Sequence, residues 1–287
     1  MPRYARPSTA DEAIALLAEG GWKVLAGGTD FYPAQGARPI RDDILDIGAM
    51  AALRGVREDD GHIIIGATTT WTDIVRARLP TGFDALKLAA REVGSVQIQN
   101  TGTIAGNLCN ASPAADGVPA LMVLDAEVEL ASLRGTRRLP LADFVLGNRR
   151  TARAADELVT AIRVPKASTT GRSSFVKLGA RRYLVISIVM AAARVETDAD
   201  GRIASAAIAV GACSPVAQRL ERLEADLAGR PADPSALAIL SGRHFDGLSP
   251  IADVRGSAGY RFEAAREIVG RALLDAFGTA AGQGVAA

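Results

Sequence analysis

The amino-acid sequence predicts an α+β protein with a two-part N-terminal domain and a small C-terminal domain that contains an antiparallel sheet and helices. Two glycine-centred segments, residues 26–30 and 103–107, lie about 75 residues apart in the first part. A small, polar stretch without apolar periodicity, residues 166–174, indicates a domain boundary. Beyond it, predicted strands come first and predicted helices last, which favours an α+β layer over a second doubly wound domain.

The first domain begins with a capping box. Thr9 and Glu12 have the spacing at which the two side chains cap the first turn of a helix, and the glycines at 20–21 predict its end. Residues 94–113 show no periodicity and predict a long loop, of the kind that carries function. The remaining pattern predicts strands over 22–26, 44–47, 53–57 and 62–66, helices over 71–78 and 83–93, and strands over 127–132 and 158–164.

The second domain is predicted to contain three strands followed by three helices. Residues 278–287 are expected to fray because they are small and weakly patterned. The chain is thereby divided into a first domain over 1–170, with subdomains of roughly 1–55 and 56–170, and a C-terminal domain over 171–287. The predicted strands are 175–178, 185–195 and 203–212, with a hairpin turn at 198–201, and the predicted helices are 216–227, 234–240 and 259–277.

The composition is that of a soluble globular protein, with 48% hydrophobic and 23% charged residues in a chain of 287. The 33 basic and 32 acidic side chains give a formal net charge of +1, which gives no indication of nucleic-acid binding. The longest apolar stretch, residues 184–193, is interrupted by Ser187 and is far shorter than the ~20 residues that span a bilayer. No apolar signal region is visible after Met1, so the expected location is cytoplasmic.

Cysteine and histidine are too scarce for a metal site. Cys109 and Cys213 cannot supply a four-thiolate iron–sulfur cluster, and His62 and His244 are far apart in the sequence. The His-Glu-x-x-His pattern of zinc peptidases and the Gly-x-Ser-x-Gly pattern of serine hydrolases are both absent. We therefore expect no metal ligands and no catalytic acid–base residues in this chain.

Both glycine-centred segments have the composition of an anion-binding loop. Glycines allow a positive φ and remove the Cβ atoms that hold a ligand at a distance, so that consecutive N–H groups can line a concave site. Neither Gly-x-Gly-x-x-Gly nor the P-loop pattern is present, which excludes the Rossmann and P-loop explanations. Two such segments together predict one diphosphate-containing ligand held from two sides. They read Ala26-Gly27-Gly28-Thr29-Asp30 and Thr103-Ile104-Ala105-Gly106-Asn107.

In combination, these and several further motifs resemble the FAD-binding medium subunit of molybdenum-containing hydroxylases, the xanthine dehydrogenase and carbon monoxide dehydrogenase family. The similarity spans nearly the whole chain, and the combination is far more specific than any single motif. The further motifs are residues 99–102 (Gln-Asn-Thr-Gly), 113–116 (Pro-Ala-Ala-Asp), 157–165, 175–182 and 252–261.

The resemblance implies a two-part FAD-binding domain of the vanillyl-alcohol-oxidase (PCMH) type, followed by a C-terminal domain of the carbon monoxide dehydrogenase flavoprotein type. It implies that the glycine segments cradle the pyrophosphate and ribityl groups, that Asp116 accepts hydrogen bonds from flavin hydroxyls, and that Lys177 lies near the pyrimidine end of the ring. Leu158 would pack near the flavin, and Ile186 would cover one face. The implied cofactor-binding residues are Ala26, Gly27, Gly28, Thr29, Asp30, Thr103, Ile104, Ala105, Gly106, Asn107, Asp116, Leu158, Lys177 and Ile186.

The resemblance also implies an oxidoreductase subunit that does not act on substrate alone. Its FAD, expected to be non-covalent because neither glycine segment contains histidine, would pass electrons from iron–sulfur clusters of a partner to an external acceptor. The molybdenum cofactor and the [2Fe-2S] clusters are expected only in a large and a small partner subunit, in a dimer of heterotrimers. The alternatives are a stand-alone FAD-dependent reductase on the same fold and a scaffold with vestigial glycine loops.

Each of these residues also has a purely structural explanation. Asp30 and Asp116 could be helix caps, and Lys177 could be a solvated strand residue. Leu158 and Ile186 would belong to the core on composition alone. Cys109 belongs to the second motif, two residues after Asn107, and we expect its thiol to be a small buried filler.

Overall fold

The structure is a computed structural model and describes residues 1–278. Residues 279–287, to which the predicted fraying and the end of the predicted C-terminal domain apply, lie outside the described residues. The helices are α1 (Ala10–Glu19), α2 (Phe31–Gln35), α3 (Trp71–Arg76), α4 (Asp84–Glu92), α5 (Val96–Thr101), α6 (Ile104–Asn110), α7 (Gly117–Met122), α8 (Leu141–Phe144), α9 (Glu221–Leu227) and α10 (Ala258–Phe277). The strands are β1 (Tyr4–Ala5), β2 (Trp22–Leu25), β3 (Asp43–Asp46), β4 (Val56–Glu58), β5 (His62–Gly66), β6 (Glu127–Ser132), β7 (Gly135–Pro140), β8 (Val145–Gly147), β9 (Arg150–Thr151), β10 (Leu158–Pro165), β11 (Arg172–Leu178), β12 (Val189–Thr197), β13 (Ile203–Gly211) and β14 (Gln218–Arg219).

The chain folds as two compact units, and the first comprises Met1–Ala77, Val93–Ser112 and Asp125–Lys166. In its three-stranded sheet, β3 is the central strand and pairs in parallel with β1 and β2. Its five-stranded sheet has the order β4-β5-β10-β6-β7, with antiparallel neighbours throughout. Strands β8 and β9 form a separate two-stranded sheet.

Helix α1 begins at the predicted capping box. The hydroxyl oxygen of Thr9 accepts the N–H of Glu12 at 3.2 Å, and the Glu12 carboxylate accepts the N–H of Thr9 at 3.4 Å. The helix ends at Gly20, where φ is +80°. Its apolar face enters a core of the first unit whose buried members include Ala13, Ile14, Leu17, Leu45 and Leu158.

The second unit comprises Arg78–Glu92, Pro113–Leu124 and, within the described residues, the chain from Ala167 to Gly278. Strands β11 to β14 form its four-stranded antiparallel sheet in sequence order. Helix α10 packs on this sheet, and α4 and α7 belong to the same unit although they precede it in the chain. Buried core residues from helix and sheet include Ile268, Val269, Leu273, Val189 and Ile208. The boundary at residues 170 and 171 stays a prediction.

The predicted α+β class is confirmed, with strands before helices in the C-terminal part. The prediction of an aperiodic loop over 94–113 is wrong, because α5 and α6 lie there. Each helix spans fewer than two full turns, too few to produce a recognisable apolar period, although Ser95 and Thr103 at their N-cap positions are typical start residues.

Two smaller predictions also fail, and one strand was not predicted. The predicted helix over 216–227 starts only at α9, because Gln218 and Arg219 pair with β13 as the edge strand β14. The predicted helix over 234–240 is the 3₁₀ helix Pro234–Ile239. Strand β7 was not predicted, because its central residues are charged and exposed at a sheet edge. Within residues 1–278, no helix is both long and apolar enough to cross a membrane.

Replacing the capping threonine tests the origin of α1. We expect Thr9→Ala to lower the free energy of unfolding by about 1 kcal/mol, because the first turn loses a side-chain acceptor for a backbone N–H. Glu12→Gln, which keeps an acceptor for the Thr9 N–H, is the matched control and should cost less. Urea unfolding at neutral pH measures both, and equal losses would contradict the capping account.

The same pair of variants has a pH signature. Hydrogen bonds from the backbone and hydroxyl of Ser8 hold the pKa of Glu12 below its usual value. This contribution to stability is therefore present above the ordinary glutamate pKa and is lost as the pH falls through the lowered one. When the free energy of unfolding is measured from about pH 6 to about pH 3, the loss of stability due to protonation of Glu12 should be absent in Glu12→Gln.

Candidate cofactor-binding site

In the first unit, the first glycine-centred segment contacts Thr101 and Gly102, the two residues directly before the second segment. A Cβ atom built on Gly27 would overlap the carbonyl oxygen of Thr101, and one built on Gly102 would lie 3.3 Å from Oγ1 of Thr29. The first segment therefore lies on the turn that leads into the second. Two segments separated by about 75 residues in sequence are thereby close together in the structure.

The first segment carries the chain from β2 to α2. Gly28 has a φ of +69°, and a Cβ atom there would lie 2.6 Å from the ring of Tyr32. The carbonyl oxygen of Gly28 accepts the N–H of Tyr32 at 3.1 Å, which closes the turn. Asp30 occupies the N-cap position of α2, but its side chain makes no capping hydrogen bond and is exposed. The explanation of Asp30 as a side-chain cap is therefore not supported.

The second segment is the start of α6. Oγ1 of Thr103 accepts the N–H of Gly106 at 3.1 Å, and a Cβ atom on Gly106 would lie 2.7 Å from that oxygen. A glycine at position 106 is thus explained by the structure as well as by the predicted ligand contact, because the absence of a Cβ atom makes room for the capping oxygen of Thr103. The Ile104 N–H donates to the carbonyl oxygen of Thr69, and Thr70 forms a β-bridge with Thr103. These contacts fix the entry to the helix.

Asn107 carries an unusual buried atom. Its Oδ1 is buried and accepts no hydrogen bond, and it is the one oxygen among the buried side-chain atoms without a partner within residues 1–278. The others are nitrogens of Trp22, Arg163 and Arg261. An unpaired buried polar atom costs about 1–3 kcal/mol. The second glycine segment therefore presents an acceptor suited to a ligand hydroxyl or N–H group.

In the second unit, Asp116, Lys177 and Ser187 form a buried polar cluster. The Lys177 ammonium donates to Oδ2 of Asp116 at 2.7 Å, and the Ser187 hydroxyl donates to Oδ1 at 2.7 Å. Lys177 also donates to the carbonyl oxygen of Glu92 at 3.2 Å. The Lys177 and Asp116 side chains are only 5% and 8% exposed. Neither structural explanation holds, because Asp116 makes no side-chain cap and Lys177 is not solvated.

Burial dominates the electrostatics of this cluster. It raises the pKa of Asp116, while the Lys177 ammonium and the Ser187 hydroxyl act in the opposite direction. A buried ion pair of this kind adds little to the net free energy of unfolding. The loss of one partner is nevertheless destabilising, because it leaves an uncompensated buried charge. The cluster is therefore sensitive to any change in the charge near it.

Leu158 and Ile186 occupy very different places. Leu158 is 2% exposed and packs in the core of the first unit with α1, whereas Ile186 is 53% exposed on the loop between β11 and β12.

The expectation that Cys109 is a buried filler is wrong, because the residue is exposed near the end of α6. Within the described part of the chain, no cluster of three His, Cys, Asp or Glu side chains is arranged to hold a metal ion.

The structure thus brings together the two glycine segments in one unit, and Asp116 with Lys177 in the other. Sequence reasoning missed Ser187 as a member of the cluster. A signal existed, because Ser187 is the hydroxyl that interrupts the apolar run over 184–193. It also missed the carbonyl of Glu92, for which the sequence carries no signal.

Comparisons with known sequence families match both parts of the chain. Residues 1–167 match the family described as FAD binding domain in molybdopterin dehydrogenase, and residues 174–276 match the CO dehydrogenase flavoprotein C-terminal domain. The nicotinate dehydrogenase FAD-subunit of Eubacterium barkeri is 33% identical over 95% of this chain and 95% of its own length. The carbon monoxide dehydrogenase medium chain of Hydrogenophaga pseudoflava is 30% identical over 94% of this chain and 95% of its own.

Solved structures with a similar fold include chains of CO dehydrogenase and of quinoline 2-oxidoreductase. A chain of reconstituted CO dehydrogenase from Oligotropha carboxidovorans superposes with a TM-score of 0.88 at 26% identity and covers 98% of this chain and 99% of its own. A chain of quinoline 2-oxidoreductase from Pseudomonas putida 86 has a TM-score of 0.87 at 26% identity, with 98% of each chain covered.

Removing the cation from the buried cluster tests its energetics. We expect Lys177→Met to lower the free energy of unfolding at neutral pH by about 3–5 kcal/mol, because the Asp116 carboxylate is left buried without its counter-ion. Lys23→Met is the matched control in the exposed pair with Asp42, at 3.2 Å, and should cost about 0–1 kcal/mol. Chemical unfolding of the purified chain measures both.

The double variant Lys177→Met/Asp116→Asn should recover much of that loss, because no charge remains buried. The single variant should also recover as the pH falls. Its carboxyl has a folded-state pKa above the unfolded value, so the destabilisation is present at neutral pH and disappears toward the ordinary aspartate pKa. A pH-independent loss in Lys177→Met, equal in the double variant, would contradict the ion-pair account.

Proposed function

Because the chain belongs to the family of FAD-binding subunits of molybdopterin dehydrogenases, and is thus an oxidoreductase subunit, we propose that it binds one FAD non-covalently through the residues described above. The observation that carries this proposal is the buried, unpaired Oδ1 of Asn107 in the second glycine segment, whose preceding residues contact the first segment. FAD offers hydroxyl donors for such an oxygen and a pyrophosphate for backbone N–H groups. The residues present therefore fit the cofactor.

Within the first unit, we assign the two glycine-centred segments to the pyrophosphate and the adjoining hydroxyl-bearing chain. These segments are residues 26–30 and residues 103–107. Gly27 leaves room for the Thr101 carbonyl group and Gly28 for the Tyr32 ring, so both glycines shape the turn that presents the first segment. Asn107 orients a hydroxyl group by accepting its hydrogen bond. Leu158 supports the site through the core behind it.

In the second unit, the roles fall on the Asp116, Lys177 and Ser187 cluster and on Ile186. A lysine ammonium has three donors, and the carbonyl of Glu92 and the carboxylate of Asp116 accept two of them. The third is available to an acceptor on the cofactor. Asp116 holds the ammonium in place, and the half-exposed Ile186 offers apolar cover.

FAD, when bound, supplies the capacity to take up and release electrons. We infer that this chain receives electrons from iron–sulfur clusters of a partner and delivers them to an external acceptor. Its relatives are described as the FAD-subunit of nicotinate dehydrogenase and the medium chain of carbon monoxide dehydrogenase, which supports a multi-subunit complex. We propose a large molybdenum-cofactor subunit and a small [2Fe-2S] subunit as partners, in a dimer of heterotrimers in the cytoplasm.

The second candidate, a stand-alone FAD-dependent reductase, is less well supported. Residues 174–276 match the C-terminal domain of a CO dehydrogenase flavoprotein, and the similar proteins cover nearly the whole chain as one subunit of a complex. A stand-alone reductase would have to supply its own substrate site. The chain expressed alone should therefore oxidise no substrate of the complex.

The test of cofactor binding uses Asn107→Leu. We expect FAD affinity to fall by about 1–3 kcal/mol, or roughly 5- to 150-fold, because a ligand hydrogen bond is lost. The free energy of unfolding of the FAD-free chain should stay equal or rise, because an unpaired buried oxygen has been removed. Asn148→Leu, in an exposed loop of the same unit, is the control and should change neither. Loss of stability with unchanged affinity would assign Asn107 a purely structural role.

Purification tests the subunit assignment. The chain expressed alone should carry flavin that acid precipitation releases into the supernatant, at one FAD per chain. Co-expression with its neighbouring large and small chains should give a complex that oxidises a substrate which the single chain leaves unchanged. Flavin that stays with the precipitate would contradict non-covalent binding, and substrate turnover by the single chain would contradict the subunit assignment.

A further inference from the structure

The loop of residues 179–187 leaves the second sheet after β11 and returns to it at β12. Its base is closed by the N–H of Ile188, which donates to the carbonyl oxygen of Leu178 at 2.8 Å. Its tip is held by Arg181, whose Nε and Nη2 donate to the carbonyl oxygen of Leu184 at 3.2 and 2.6 Å. Leu184 has a φ of +52°, so the tip is a tight turn that an L-residue adopts only when it is fixed by its surroundings.

Arg261 of helix α10 reaches the base of this loop from the other side. Its side chain is only 3% exposed, and its Nη1 donates to the carbonyl oxygens of Ile188 and of Ala212, at 2.5 and 3.1 Å. Nη2 donates to Oδ1 of Asp253 at 2.7 Å. A single guanidinium thus joins the start of β12, the residue after β13 and the segment before α10.

The carboxylate of Asp253 is itself fixed. It accepts the backbone N–H of Arg255 at 2.8 Å and a side-chain N–H of the same residue at 2.8 Å. These hydrogen bonds and the Arg261 guanidinium lower the pKa of Asp253 to about 2, so it is ionised at all ordinary pH values. The anion keeps the guanidinium oriented toward the two carbonyl groups.

We propose that Arg261, oriented by Asp253, is a positioning residue that fixes the base of the loop over 179–187 and thereby the contact between Ser187 and Asp116. The residue directly before Ile188 is Ser187, whose hydroxyl donates to the Asp116 carboxylate at 2.7 Å. A shift at Ile188 is transmitted through one peptide unit to that hydroxyl. The motif over 252–261 contains no residue of the proposed cofactor site, and positioning of the loop over 179–187 is the function that we assign to it.

The loop itself provides a test that does not depend on FAD. Arg181 and Arg182 are exposed and are sites for trypsin. In Arg261→Met the base of the loop is released, and we expect cleavage after these residues to be about tenfold faster or more, because local opening becomes easier. Arg271→Met, on the same helix in an exposed pair with Glu267, is the control and should be cleaved at the wild-type rate. A wild-type rate in folded Arg261→Met would overturn the proposal.

If Arg261→Met does not fold, Asp253→Asn replaces it. This variant leaves the two carbonyl contacts of Arg261 possible but removes the anion that orients the guanidinium. Cleavage within the loop should again be faster than in the wild type, with thermal unfolding monitored in parallel. An unchanged cleavage rate in this variant would overturn the proposal as well.

The effect on the cofactor rests on the proposed function and has its own measurement. FAD titration of the FAD-free chain should show weaker binding in Arg261→Met and in Ser187→Ala, with less than additive effects in the double variant. Ser187→Ala should leave loop cleavage at the wild-type rate. If the wild-type chain binds no FAD, the proposed function fails while the trypsin result still decides the role of Arg261. Full additivity of the two substitutions would contradict their acting through one contact.

Discussion

The contact between the backbone at Gly27 and the carbonyl group of Thr101 is the constraint on which the candidate site depends. It requires that position 27 carry no Cβ atom, since that atom would occupy the space of the carbonyl oxygen. Two chain segments far apart in sequence are brought together without side chains between them. The candidate site of the first unit can therefore consist of backbone groups, short polar side chains and the unpaired oxygen of Asn107.

The second unit has its own buried group of charged and polar side chains. A lysine, an aspartate and a serine are buried together, and their hydrogen bonds connect the N-cap residue of α7, strand β11 and the loop before β12. Such a cluster costs desolvation and gives little net stability. The proposed function gives this cluster a role as a positioned cation, and Arg261 is proposed to extend that positioning to the loop beside it.

The sequence predicts local features well and tertiary ones poorly. The capping box at Thr9 and the strands β6 and β10 depend on neighbouring residues, and the structure has them where the pattern places them. The bonds from Lys177 and Ser187 to Asp116 span 61 and 71 residues, so no periodicity encodes them. Gly106 illustrates a third case: a motif residue that the family resemblance assigns to the ligand also makes room for the Thr103 cap.

Hydrogen–deuterium exchange of the FAD-free chain, with and without added FAD, tests the central claim most directly. We expect FAD to slow amide exchange in both glycine-centred segments, residues 26–30 and 103–107, because the bound cofactor shields them from water and opposes their local opening. The exposed hairpin turn at 198–201 should exchange at the same rate in both states. FAD binding that leaves exchange unchanged in both glycine segments would contradict the account.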